Sequence, residues 1–121
     1  MEEKEVLYHL HRLSKSSFRS RFHLQYKDIM YIQTKGIDTI KKHAADFISQ
    51  RLASSHIKND GKQTPMKGHP VFIGQHATAC CCRGCLKKWY GIPEEIELSP
   101  SLQQDLVDLI IGWIYQEMKR K

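Results

Sequence analysis

The sequence has no long apolar run, no basic stretch followed by apolar residues in its first positions, and no cysteine outside a single six-residue segment. The longest apolar run, residues 109–115, is far shorter than the roughly 20 residues that a membrane-spanning helix needs. The start, residues 1–4, is acidic and is followed by an amphipathic pattern, which is not the pattern of a secretory signal. We therefore expect a cytoplasmic protein that has no membrane partner and keeps its thiols reduced.

The composition is that of an ordinary folded domain. Hydrophobic residues make up 40% of the chain and charged residues 26%, a balance that argues against disorder. A length of 121 residues fits one core, so we expect residues 1–121 to form a single domain. The formal net charge of +6 permits attraction to nucleic acid or another polyanion, but it does not indicate an oligomeric state.

Apolar residues recur mostly at helical spacing, which predicts a mainly α fold with helices near both ends of the sequence. Between them, a second helix is expected over residues 26–35 and is ended by Gly36. Asp38 is the expected N-cap of a third helix that runs to about residue 52. The expected core residues of these two helices are Ile29, Met30, Ile32, Ile40, Ala44, Phe47, Ile48 and Leu52.

Residues 53–68 lack this periodicity and are rich in turn residues, which predicts a long polar loop. Gly61 and Lys62 lack the spacing of a phosphate-binding loop. Pro70 then fits the first position of a new helix. This helix either continues to Tyr90 or breaks at the cysteines into a Cys-rich knuckle and a second short helix, and the break suits a bound metal.

The four cysteines occupy positions 80, 81, 82 and 85, shortly after two histidines. The two-residue spacing between Cys82 and Cys85 allows both thiolates to bind one metal ion, so they are the expected ligand pair. We expect His76 and either Cys81 or His69 to complete a zinc site. Because no cysteine lies farther along the chain, the pattern favours zinc over an iron–sulfur cluster.

The same thiols permit two other interpretations. Cys81 or Cys85 is a candidate nucleophile in a small metal- or thiol-dependent enzyme, with His76 or His69 as its base. A helix through these positions could instead pack the thiols into the core, since free cysteine is often a buried apolar residue. Spacing and residue type alone do not decide between a reaction and a structural site.

Basic and aromatic residues alternate near position 20, where Arg19 and Arg21 lie beside Phe18 and Phe22. This pattern predicts either a phosphate-binding surface with a ring available for stacking, or buried rings with the arginines in water. The expected contacts to an anionic partner such as nucleic acid are Arg19, Arg21, Lys62 and Arg83.

Five segments resemble a known family. They are residues 18–24 (FRSRFHL), 59–66 (NDGKQTPM), 68–73 (GHPVFI), 75–78 (QHAT) and 81–86 (CCRGCL). The sequence resembles the bacterial domain-of-unknown-function family numbered 4186, and the match covers almost the whole chain. The resemblance implies a small stand-alone bacterial domain with no assigned activity. It also implies that the position of Cys80 is commonly threonine and that of Tyr90 commonly histidine, so that Cys80 is dispensable.

Two functions are therefore hypotheses for this chain. In the first, a structural metal supports a binding module for an anionic partner. In the second, the cysteine cluster is the site of a small enzyme, and the loop over residues 59–66 covers a pocket beside it. Four protein ligands would favour the first hypothesis, and three ligands with a bound water would favour the second.

Overall fold

The computed structural model describes residues 1–120, which form six α-helices and one 3-10 turn. The helices are α1 (Glu3–Ser14), α2 (Tyr26–Lys35), α3 (Ile37–Arg51), α4 (Pro70–Ala77), α5 (Arg83–Tyr90) and α6 (Pro100–Arg120). The 3-10 turn, Arg19–Arg21, lies between α1 and α2. No strand occurs among the described residues, so the prediction of a mainly α fold is confirmed. In the same residues, no helix is both long enough and apolar enough to cross a membrane.

Helix α6 is the centre of the fold, because α1, α3 and α4 all pack against it. Its most deeply buried side chains are Leu106, Leu109, Ile110 and Ile114. Helix α3 contributes the predicted core stripe, in which Ile40, Ala44 and Ile48 are fully buried and Phe47 is partly buried. Burying a leucine or isoleucine side chain stabilises the fold by roughly 1.5 to 3 kcal/mol, so these two helices form the framework that carries the others.

Helix α1 lies very close to α6 at Gly112. A Cβ atom on Gly112 would lie 2.6 Å from Cγ1 of Val6 and 3.7 Å from Cδ1 of Leu10. The first distance is shorter than any ordinary contact between carbon atoms. The absence of a side chain at position 112 therefore allows the two helices to pack at this distance.

Replacing Gly112 by alanine is expected to overpack this contact, whereas Gly112→Ala in a Val6→Ala background relieves the clash. Overpacking costs about 1 to 3 kcal/mol, partly offset by the better helix propensity of alanine. We expect a favourable coupling energy of about 1 to 3 kcal/mol between the two substitutions, measured by equilibrium unfolding of the wild type, both single variants and the double variant. Additive free energies of unfolding would contradict this account of the contact.

The junction of α2 and α3 differs from the prediction. Gly36 has a φ of +86° and is both the C-cap of α2 and the N-cap of α3. Helix α3 therefore begins at Ile37, and Asp38 lies in its first turn instead of capping it. The expectation that Met30 is buried is also wrong: its side chain is 41% exposed because the inner face of α2 is formed by Ile29 and Ile32.

The chain breaks between α4 and α5, so the second of the two alternatives for this region is the one observed. Helix α4 ends at Ala77, and Ala79 has a φ of +58°, a region that residues with a side chain rarely adopt. A new helix starts only at Arg83 and is ended by Gly91, whose φ is +69°. The cysteines at positions 80–82 consequently lie in a tight turn between two short helices.

Arg83 ties the long loop, residues 52–69, to the rest of the fold. Its side chain is 2% exposed, and its guanidinium group donates four hydrogen bonds to backbone carbonyl oxygens. These acceptors belong to Leu52 (3.3 Å), Ser54 (2.9 Å), Pro93 (2.7 Å) and Ile96 (2.7 Å). One side chain thus joins the start of the loop to the segment that precedes α6.

Candidate metal centre

Three of the four cysteines bring their sulfur atoms together. The Sγ atoms of Cys81, Cys82 and Cys85 all lie within 4.8 Å of one another, and those of Cys82 and Cys85 are 3.2 Å apart. Helix capping explains this proximity: Cys82 is the N-cap of α5, and its sulfur accepts a hydrogen bond from the amide of Cys85 at 3.4 Å. The first turn of α5 therefore positions two sulfurs, and the residue before the cap supplies the third.

Cys80 is separate from these three. Its side chain is fully buried in the hydrophobic core, and its Sγ atom lies 3.6 Å from the carbonyl oxygen of Thr78. Burial raises the pKa of the Cys80 thiol to about 12. Cys80 is consequently a protonated packing residue.

A buried arginine faces the sulfur cluster. Arg19, in the 3-10 turn, is 8% exposed and donates hydrogen bonds to Sγ of Cys85 at 3.0 Å and to Sγ of Cys81 at 3.5 Å. It also donates to the carbonyl oxygen of His76 at 2.7 Å. A guanidinium group stays charged in a protein, and burying it is costly unless an anion lies beside it. The anions available to Arg19 in this position are cysteine thiolates.

The contacts within the cluster set the proton affinities of the sulfurs. The hydrogen bond from Cys85 lowers the pKa of Cys81, and the hydrogen bond and charge of Arg19 lower it as well, which together outweigh burial. The same bond between the two cysteines, together with burial, raises the pKa of Cys85. Burial, followed by the hydrogen bond to Cys85, raises the pKa of Cys82 to about 11. Cys81 is therefore the first of the three to ionise.

His76, a predicted ligand, is buried and engaged with the long loop. Its Nε2 atom lies 3.1 Å from the carbonyl oxygens of both Thr64 and Pro65, and its ring stacks on Phe22. A carbonyl oxygen can only accept, so Nε2 carries the hydrogen and donates it. Within residues 1–120, His76 is not part of the mutually close group that the three sulfurs form. The structure gives it the role of holding the loop over the cysteines.

His69, the other predicted histidine ligand, lies with a second histidine and also stays outside the sulfur group. Its Nδ1 atom accepts a hydrogen bond from the amide of Val71 and caps α4, and its Nε2 atom is 3.0 Å from Nδ1 of His43. The rings of Tyr31, Phe47 and Phe72 surround it. Burial, and then the proximity of His43, lower the pKa of His69 to about 4.

This depressed pKa predicts a loss of stability in weak acid. An unfolded histidine takes up a proton near pH 6.5 but folded His69 only near pH 4, so its contribution is complete above pH 6.5 and is lost as the pH falls to about 4. Because the ring is only half-buried, we expect a loss of about 1 to 2 kcal/mol. The measurement is the melting temperature of the wild type and of His69→Asn, which keeps a capping side chain, between pH 7 and 4.5. Parallel curves for the two proteins would rule out this role of His69.

The long loop makes two further contacts with the cysteine turn. The carboxylate of Asp60 accepts hydrogen bonds from the amides of Arg83 and Gly84, each at 2.9 Å, and thereby caps α5. Burial raises the pKa of Asp60, but hydrogen bonds from Gln63 and these two amides outweigh it, so the net shift is downward. The hydroxyl of Thr64 donates to the carbonyl oxygen of Cys81 at 2.9 Å. The loop therefore holds the first turn of α5 and Cys81, the residue before the N-cap.

The four residues expected to contact an anionic partner separate into two groups. Arg19 and Arg83 are buried, and their guanidinium groups are engaged inside the protein. Arg21 and Lys62 are exposed. The sequence also allowed the rings to be buried and the arginines to lie in water. This alternative is wrong for Phe18 and Arg19, since Phe18 is 42% exposed while Arg19 is buried. Binding to nucleic acid stays a prediction, and the exposed members of the set are the two that could reach a phosphate.

Sequence reasoning missed two roles in this site. It assigned Arg19 to a surface, because no spacing in the sequence links position 19 to positions 81 and 85. It placed Asp60 only within a polar loop, but the carboxylate caps a helix that begins 23 residues later. The polar turn at residues 59–61 indicated a loop, and nothing in that turn indicates which helix it meets.

Residues 7–115 match the family model described as a domain of unknown function, DUF4186. No solved structure matches the chain. The match agrees with the resemblance of the sequence motifs, and it supplies no activity. The chemistry of the site has to be inferred from its own geometry.

Proposed function

We propose that this chain, which belongs to the DUF4186 family of domains of unknown function, binds one zinc ion through Cys81, Cys82 and Cys85. The observation that carries the proposal is the convergence of three sulfur atoms within 4.8 Å. Zinc–sulfur bonds of about 2.3 Å at tetrahedral angles hold two sulfurs roughly 3.8 Å apart, so small rotations of these side chains suffice to form the site.

The donor set also favours zinc over other metals. Thiolates select soft or borderline ions and are poor ligands for magnesium or calcium. An iron–sulfur cluster usually takes four cysteines around a larger inorganic core. Here the fourth thiol, Cys80, is directed to the carbonyl oxygen of Thr78 and buried in the core.

Arg19 supports the proposal through charge. Three thiolates and one divalent ion carry a net charge of −1, and the guanidinium beside them brings the group to neutrality. A neutral group is far less costly to bury than a charged one. Donation from Arg19 to two of the sulfurs also orients them, as hydrogen bonds to metal ligands do in other sites.

Three protein ligands leave a fourth coordination position for water or an exchangeable molecule. In zinc proteins this arrangement is typical of catalytic sites, whereas structural sites use four protein ligands. Within residues 1–120, no fourth cysteine, histidine or carboxylate joins the mutually close group. The geometry therefore supports the reactive form of the site over the purely structural one.

The experiment is a titration of the reduced, metal-free protein with cobalt(II), a spectroscopic substitute for zinc. We expect a sulfur-to-cobalt charge-transfer band that saturates at one ion per chain and disappears when zinc is added. Adding cyanide should then shift the cobalt ligand-field bands if the fourth position is exchangeable. Absence of a charge-transfer band would overturn the proposal, and a band that ignores cyanide would overturn the open position alone.

A further inference from the structure

We infer that Cys82 and Cys85 form a reversible disulfide, so that the first turn of α5 is also a site of thiol–disulfide exchange with low-molecular-weight disulfides. The inference uses two of the sulfurs described above, and it holds whether or not they bind a metal. It assigns a covalent modification site to a pair of residues that the structure shows as free thiols.

The distance between the two sulfurs carries the inference. At 3.2 Å they are closer than the roughly 3.8 Å that tetrahedral zinc requires. This separation is only about 1 Å longer than a disulfide bond. Two cysteines separated by two residues at a helix N-terminus are also the arrangement that disulfide-exchanging proteins use. Cys81 is a poorer partner for Cys82, because the Cα atoms of adjacent residues are closer than a disulfide normally allows.

Exposure determines which sulfur reacts first. Cys81 and Cys82 are buried, with 7% and 9% of their surfaces exposed, whereas Cys85 is only partly buried. A small disulfide therefore meets Cys85 before the others. The hydrogen bond with Cys81 and burial raise the pKa of Cys85, so its thiolate is the minor form and the attack is slower than that of an ordinary exposed thiol. The Arg19 guanidinium, 3.0 Å from this sulfur, stabilises the negative charge on that minor form during the attack.

The exchange proceeds in two steps. The Cys85 thiolate attacks one sulfur of the small disulfide, whose S–S bond breaks; a mixed disulfide forms at Cys85 and one thiolate leaves. The Cys82 thiolate then attacks Sγ of Cys85, forms the intramolecular bond and expels the second small thiolate. Two electrons pass from the two cysteines to the small disulfide, which leaves as two thiols carrying the two protons that the cysteines release.

The test is incubation of the metal-free chain with oxidised glutathione, followed by acid quenching, alkylation under denaturing conditions and peptide mass spectrometry. We expect loss of two of the four free thiols and a cross-link that involves Cys85. The cross-link should persist in Cys81→Ser and Cys80→Ser and disappear in Cys82→Ser. Serine keeps a capping oxygen at position 82, so α5 retains its cap in that variant.

In Cys82→Ser, the first step should still occur, and we expect a stable glutathione adduct at Cys85. Three outcomes would each overturn the inference: four free thiols in the wild type after treatment with oxidised glutathione, loss of the cross-link in Cys81→Ser, or a glutathione adduct at Cys80. The wild-type result does not depend on the folding of any variant. A cross-link without a cobalt charge-transfer band would support this inference and overturn the zinc proposal. A charge-transfer band without a cross-link would support the zinc proposal and overturn this inference.

Discussion

The Arg83→Met variant is expected to melt roughly 10 to 20 °C below the wild type. The substitution leaves four backbone carbonyl groups, in two separate segments, without their buried donor. A hydrogen bond from a charged group contributes about 1.5 to 3 kcal/mol, and water that enters the relaxed loop restores part of this, so we expect a net loss of about 3 to 5 kcal/mol. Methionine keeps most of the apolar stem, so the loss reports on the guanidinium group.

Arg21→Met is the matched control, because it removes an arginine that is exposed and lies 5.3 Å from the ring of Phe18. We expect its free energy of unfolding to stay within about 0.5 kcal/mol of the wild type. Arg83→Lys should fall between the two, since an ammonium group keeps the charge but cannot reach all four acceptors. If Arg83→Met unfolds at the same denaturant concentration as Arg21→Met, the proposed role of this side chain is wrong.

Serine at position 81, 82 or 85 is expected to weaken zinc binding by about 100-fold or more. Loss of a residue that only orients a metal ligand already costs about 10- to 100-fold, and loss of the ligand itself should cost at least as much. The measurement is competition for zinc against a chromophoric chelator, in reducing buffer, for each of the three variants. Circular dichroism of the metal-free variants establishes that the helices are still present.

Cys80→Ser separates ligation from packing. It places a hydroxyl in a fully buried site, so we expect a lower melting temperature but an unchanged zinc affinity. The three ligand variants should show the opposite pattern, in which zinc affinity falls much more than the stability of the metal-free protein. Equal loss of zinc affinity in all four variants would show that the effect is one of folding, and that these sulfurs are not specific ligands.

Helices with strong local signals were predictable from the sequence. Helix α2 runs from Tyr26 to Lys35, as expected from its apolar spacing and the glycine that follows it. The break before α5 could be stated only as one of two alternatives. It depends on the left-handed backbone of Ala79, for which alanine carries no signal.

The site was only partly predictable, because local spacing positions some of its residues and tertiary contacts position the others. Cys82 and Cys85 come together through a single helical turn, so their spacing was informative. His76 was a reasonable candidate from proximity in sequence, but α4 directs its ring to the carbonyl oxygens of Thr64 and Pro65. The partner of the sulfurs is instead Arg19, which only the tertiary fold brings to them.

The separation of Arg19 from the sulfurs along the chain gives the site an order of assembly. The three sulfurs lie within five consecutive residues, whereas the guanidinium group beside them comes from 62 and 66 residues earlier. A partly folded chain in which only the cysteine turn and α5 have formed presents the thiols without their cation, and closing a loop of that length carries an entropic cost. A fully compensated thiolate cluster therefore reports that the N-terminal part of the chain has docked, which links the maturation of the site to completion of the fold.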